Sequence, residues 1–257
     1  MSHVSLSYLV KSHGIPVRRG RKLRPVRPSR ANELWYKAEL LKLVRHMRQL
    51  TRDIVFPEVK AHVKPMTDGS KTAHDALPRR SFESAFSQLA QRMGGIANTA
   101  QRLATLAVQR NMDAVDERLS SSVRSTVGID ISPFLTPSNP ILAAIGAATR
   151  ENVDLIKDIP AKYLSQIRET VKSNLVEGVR WEDIAAKLEE RGMVAESRAK
   201  LIARDQTSKM NSAFNEARQT SLGIEKYQWQ TSGDERVRDE HAANDGMIFR
   251  WDTPPAN

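Results

Sequence analysis

Two runs of apolar residues, stepping alternately by four and three, dominate the first half of this 257-residue chain. Tyr36, Leu40, Leu43, Met47, Leu50 and Ile54 form the first run. Phe82, Phe86, Leu89, Met93, Ile96, Ala100, Leu103 and Ala107 form the second. Such a step keeps side chains on one stripe of an α-helix and does not suit a strand, whose faces repeat every second residue. Ser29 to Asn32 offers N-cap residues for the first helix, with Glu33 in its first turn, and Pro57 is expected to end it. A turn-rich stretch containing Pro65, Asp68-Gly69 and Pro78 separates the two. Gly94-Gly95 either weakens the second helix or admits a closely approaching backbone. The two stripes pair within one chain as a hairpin, or between copies in an oligomer.

The second half continues helically after an interruption. TVGIDISPFLTPSNP, from Thr126 to Pro140, reads as a linker or an ordered crossover loop, and a domain boundary is expected there. Pro160 suits a first-turn position, with Ile156, Ile159, Tyr163, Leu164, Ile167 and Val171 as the apolar face and Gly178 as the stop. A short helix from Trp181 through Leu188 is expected to end at Gly192, and a longer one runs from about Ser197 to Leu222, closed by Gly223. The period then changes to two. Tyr227, Trp229 and Thr231 share one strand face, and Met247 to Trp251 forms a second strand. The polar block between them is too long for a tight hairpin and must carry structure of its own. The expected fold is mainly α with a small C-terminal α+β module: long N-terminal helices, then helices followed by a short β-sheet. The expected division is a basic flexible arm (1–30), a long-helix domain (31–127), a Pro-rich linker (128–149) and an α+β module (150–257).

Charge is distributed unevenly. Residues 1–50 hold twelve basic residues against Glu33 and Glu39, which accounts for the entire net charge of +10. Eight of the twelve lie between Lys11 and Arg30: Lys11, Arg18, Arg19, Arg21, Lys22, Arg24, Arg27 and Arg30. Three prolines and two glycines in the same segment oppose a helix, so an extended cationic arm is expected. Such an arm suits phosphate neutralisation on a nucleic acid, docking to an acidic protein surface, or solubilisation alone. The absence of cysteine excludes a disulfide scaffold, a thiol nucleophile and any Cys-based metal site within this sequence. Pro133, Pro137 and Pro140 interrupt the uncharged run before Arg150, so no membrane span is expected there, and the start has no signal-peptide pattern.

Three pieces of the C-terminal region carry most of the information. They are IARDQTSKMNSAFNEA on the last long helix, W-x-T-S-G-D-E-R-V-R-x-x-H from Trp229 to His241, and D-G-M-I-F-R-W-D-x-P-P from Asp245 to Pro255. This region resembles the phage Mu F-type head morphogenesis proteins, or phage minor head proteins. The resemblance runs through Arg204, Asp205, Thr207, Asn215, Gly223, Tyr227, Trp229, Asp234, Arg236, Arg238, His241, Asp245, Gly246 and Phe249. Many members carry C-x-x-C where this chain has Arg238 and His241, so no metal ligand set is expected, and no cofactor.

The resemblance implies a minor structural protein of a tailed-phage head, not an enzyme. It would act near the portal in procapsid assembly and in DNA packaging or delivery. Its location would be the virion, at the portal vertex, after assembly in the host cytoplasm. The expected partners are the portal protein, secondarily the major capsid protein, and double-stranded DNA bound without sequence preference. Within the DERVRDEH block, Asp234 paired with Arg236 or Arg238 would pin the excursion to the strands, with His241 adding a hydrogen bond. The alternative is a nuclease-like enzyme using His241 as general base.

Overall fold

The computed structural model describes residues 5–16, 22–62, 79–231 and 237–255. Helices dominate: α1 (Leu6–Ser12), α2 (Arg30–His62), α3 (Arg79–Val127), α4 (Asn139–Val176) and α5 (Trp181–Ser221), then β1 (Lys226–Gln228), α6 (Asp239–Ala243) and β2 (Ile248–Arg250). A 3₁₀ turn at Ser132–Phe134 lies between α3 and α4. β1 and β2 pair antiparallel with Tyr227 opposite Phe249. The expected fold class is therefore the observed one. The turn-rich stretch around Asp68-Gly69 lies outside the described residues.

The chain forms two compact units that do not follow the expected chain order. One comprises Ser29–Arg110 and Ala147–Ser208; the other comprises Met1–Pro28, Asn111–Gly146 and Lys209–Asn257.

The first of these, the long-helix unit, buries the two stripes seen in the sequence. Every member of the Phe82-to-Ala107 run is buried. Along α2, Tyr36, Leu40, Met47 and Leu50 of the expected run are buried, joined by Val44, Thr51, Val55 and Val59, while Leu43 and Ile54 remain half-buried. Steps of mostly four replace the expected alternation, because burial follows neighbouring helices rather than a two-helix seam. Both stripes close within one chain, so the side chains that a second copy would have used are already covered.

Three breakers behave differently from expectation. Pro57 lies inside α2 and Pro160 inside α4, and neither helix stops. An interior proline costs about 3 kcal/mol relative to Ala, but burial continues on both sides, at Val55 and Val59 around the first and at Ile159 and Tyr163 around the second. Gly192 likewise lies inside α5, which joins the two expected helices into one. A β-carbon there would sit 2.7 Å from the Arg48 side chain. The glycine clears a path for that side chain across α5 to Glu196 and to Glu189 at 2.7 Å. Gly178 and Gly223 do terminate their helices, at φ of 70° and 71°.

The second unit corrects two further expectations. Residues 139–149, assigned to the linker, are the first turns of α4. Ile129 and Ile131 of the crossover are buried in a core with Leu9, Val10, Leu119, Val123 and Leu222. Leu23 and Val26 pack against the same core. The described parts of the supposed free arm are thus packed: 6–12 as a helix, 22–28 as an extended strap. Apolar residues scattered among the arginines were sufficient to dock it. Ser5 caps α1 by accepting from the Tyr8 amide, and the Leu6 amide donates to the Leu222 carbonyl at 2.8 Å.

Two predictions follow from this packing. Gly94 and Gly95 are exposed within α3, and nothing lies within 4 Å of a β-carbon built on either. Close backbone approach is therefore not their role, and Gly94→Ala and Gly95→Ala should each stabilise by about 0.5–1 kcal/mol in chemical denaturation. Glu189 is held below the usual carboxylate range chiefly by its hydrogen bonds to Arg52, with Arg48 adding to the effect. A depressed carboxylate contributes fully above its unfolded pKa and loses that contribution as pH falls through the folded value. Glu189→Gln should therefore lower the melting temperature at pH 7 and shrink its fall between pH 5 and pH 3, read by thermal melts across that range.

Candidate functional site

The ARDQT segment divides its residues between two environments. Ala203, Gln206 and Thr207 are buried, whereas Arg204 and Asp205 form an exposed neighbouring pair at 3.1 Å. Gln206 donates to Glu151 at 2.9 Å and accepts from Asn152 Nδ2 at 3.1 Å. Asn152 in turn accepts from the Tyr36 hydroxyl at 2.8 Å and donates to the Ala148 carbonyl. Burial pushes the Tyr36 phenol well above its ordinary range, so it stays a neutral donor. Thr207 Oγ1 is buried without a hydrogen-bond partner among the described residues. Within the motif, Gln206 is the residue that links α5 to α4 by hydrogen bonds.

The hairpin is built around its aromatic side chains. Trp229 donates from its amide to the Met247 carbonyl at 2.8 Å and accepts from the Gly246 amide at 2.9 Å. Gly246 has φ of 78°, a left-handed conformation that glycine adopts without steric cost. Asp245 Oδ1 accepts from the Thr231 amide at 2.8 Å and from its hydroxyl at 3.1 Å, which ties the two ends of the excursion together. Tyr227 stacks on Trp251 with centroids 4.1 Å apart, and Trp229 meets Phe249 edge-on. His241, on α6, completes this face edge-on to Trp229, 5.5 Å away and tilted by 71°. Arg238 occupies the N-cap position of α6 without a side-chain capping bond. Asp234 and Arg236 lie outside the described residues, as does any pairing they make. Among the described residues no group of three or more His, Asp or Glu is placed to hold a metal.

One residue that sequence reasoning missed is central to this unit. Arg218 is 5% exposed; its Nε and Nη2 each reach an Asp116 oxygen at 2.7 Å, and its Nη1 donates to the Thr136 carbonyl at 2.8 Å. Desolvation raises the Asp116 carboxyl above its ordinary range, and the pull of Arg218 does not fully offset it. The sequence signal was weak, because a basic residue in a last helical turn ordinarily complements the helix dipole at the surface.

The basic residues divide three ways. Lys22, Arg24 and Arg27 are exposed along the strap of the second unit, and Lys11 is exposed in the last turn of α1. Arg30 belongs to the long-helix unit and pairs with Glu33. Arg18, Arg19 and Arg21 lie outside the described residues.

The hairpin, α5 and the last third of α4 form the part of the chain that is similar to a known family. Residues 165–257 match the profile of the family described as Phage Mu protein F like protein. Over this segment the chain is similar to the phage Mu F-like family. The chain is also 34% identical over 239 residues to an uncharacterized protein of Haemophilus influenzae (strain ATCC 51907 / DSM 11121 / KW20 / Rd). That similarity covers 93% of this chain and 52% of the relative, so the chain spans about half the length of the curated relative it matches. No solved structure matches the chain. The matched segment includes α5, Arg218 and the whole hairpin.

Removing Arg218 tests how far the module depends on that pair. Arg218→Met leaves the Asp116 carboxylate in a desolvated position without its partner and should cost about 3 kcal/mol, the lower end for a broken buried pair because Asp116 keeps some solvent contact. Adding Asp116→Asn to the same chain should recover part of the loss, as measured by urea denaturation of the single and double variants.

Proposed function

We propose that the protein is a minor structural component of a tailed-phage head. It acts near the portal in procapsid assembly and in DNA packaging or delivery. The observation that carries this reading is the phage Mu F-like match over residues 165–257. In this role the protein works by binding rather than turnover, with the portal protein, and secondarily the major capsid protein, as protein partners. Its cationic N-terminal region, the eight basic residues from Lys11 to Arg30, makes non-specific contact with double-stranded DNA or with the portal.

Several features support this reading. Among the described residues no helix is long and apolar enough to cross a membrane. His241, the candidate base of the nuclease-like alternative, lies edge-on to Trp229 in the aromatic face of the hairpin. Arg204, Asp205, Thr207, Trp229, Asp245 and Gly246 are assigned structural roles in the module, as are Asp234, Arg236 and Arg238.

The test is the composition of purified particles. Procapsids and filled heads of the phage encoding the chain should both contain it, in far fewer copies than the shell subunit, and cross-linking should join it to the portal. Its absence from both particle types by mass spectrometry would overturn the proposal.

A further inference from the structure

The strap formed by residues 22–28 has a burial period of three. Leu23 and Val26 pack on the core, while Lys22, Arg24, Pro25, Arg27 and Pro28 face solvent. Three residues per turn is the repeat of a polyproline-type helix, and Pro25 and Pro28 restrict φ to values that suit it. Side chains from two helices hold the strap by its carbonyls. Ser122 donates to Arg24 O at 3.0 Å, Asn211 to Val26 O at 2.9 Å and Arg118 to Arg27 O.

This anchoring has a consequence for the exposed cations. Arg24 and Arg27 are one turn apart, about 9 Å along a polyproline axis, and Arg118 reaches the same stretch of backbone. Among the described residues no carboxylate lies within ion-pair distance of Arg24, Arg27 or Arg118, and Lys22 meets only the neutral Gln228 side chain. None of the exposed large hydrophobic residues falls in the strap or in the 111–127 stretch of α3 beneath it. A protein-docking surface would ordinarily have an apolar centre to bury, whereas a phosphate backbone asks only for fixed cationic donors. Guanidinium groups match phosphate oxygens in a planar fork.

We infer that Lys22, Arg24, Arg27 and Arg118 form a preorganised ridge that binds the phosphate backbone of double-stranded DNA. The inference rests on the DNA-contact part of the proposed function and moves that contact from a free arm to a packed strap. The remaining arm cations are then secondary. Because the strap is already ordered by the core, little chain entropy is lost on binding.

The experiment is fluorescence anisotropy of the full chain with a labelled 30-base-pair duplex, titrated at several salt concentrations. Four phosphate contacts predict a slope of log K against log salt of about −3.6, against about −7 if all eight residues from Lys11 to Arg30 engage. The R24Q/R27Q variant, whose backbone clamps are retained, should bind at least about tenfold more weakly at 50 mM salt with a slope near −1.8. Its thermal melt should match the parent's, since both side chains are exposed. A second duplex of unrelated sequence should give the same values. If R24Q/R27Q binds as the parent does while K11Q/R18Q/R19Q/R21Q loses affinity, the ridge is overturned and DNA contact by the rest of the arm stands. If the parent fails to bind duplex at 50 mM salt yet binds polyglutamate, both fall and the cations belong to an acidic protein partner.

Discussion

The hydrogen-bonded chain from Tyr36 through Asn152 and Gln206 to Glu151 sets the register of three long helices in one unit. Long stripes of Leu, Val and Ala make helices sticky but leave their sliding weakly opposed, because one apolar step resembles the next. Polar groups inside such an interface remove that freedom. Asn152 is fully buried and uses its carbonyl for Tyr36 and its amide for Ala148 and Gln206. A shift of one turn would leave several of these groups unpaired, at about 1–3 kcal/mol each. The ion pairs from Arg48 and Arg52 to Glu189 and Glu196 then add to a register already chosen.

The other unit solves a different problem. Much of it is chain without a helix or sheet ladder, and its carbonyls still need donors. Polar side chains from the helices supply them: Arg218 to Thr136, Ser122 to Arg24, Asn211 to Val26 and Arg118 to Arg27. Prolines in the strap have no amide to satisfy, so only the carbonyl side requires a partner. Arg218 does this while also neutralising Asp116, which is why one residue at the end of α5 supports both the crossover and α3. The aromatic hairpin follows immediately on this anchored helix end, with Gly223 releasing the chain into β1.

What could be read in the sequence depended on whether a residue's role is local. The Phe82-to-Ala107 stripe is buried as its spacing implied, since helical periodicity depends on backbone geometry alone. Gly178 and Gly223 end helices, and the two strands with a structured excursion between them are present. Pro57 and Gly192 were legible as helix ends and Pro160 as a first-turn residue, and yet all three lie inside helices that continue past them. Their local cost is real, but it is smaller than the burial gained by continuing the helix on either side. Gly192 in particular reads as a stop until Arg48, 144 positions earlier, is found passing over it. The Arg218–Asp116 pair left no sequence trace, because its members are far apart and each is ordinary on its own helix.

By itself, the sequence determined the helical class, the two-strand ending, the uneven placement of charge and the kinship of residues 165–257. All four are properties of periodicity, composition or motif, and each is present in the order of residues before any chain folds. Only the tertiary structure decided that the units are discontinuous in sequence, that the stripes close within one chain and that the described arm residues are packed. Those outcomes depend on which distant surfaces meet. The arginines of the strap illustrate the difference most directly: their number is a fact of composition, while their fixed exposure follows from Leu23 and Val26 packing against a core that includes residues about a hundred and two hundred positions away.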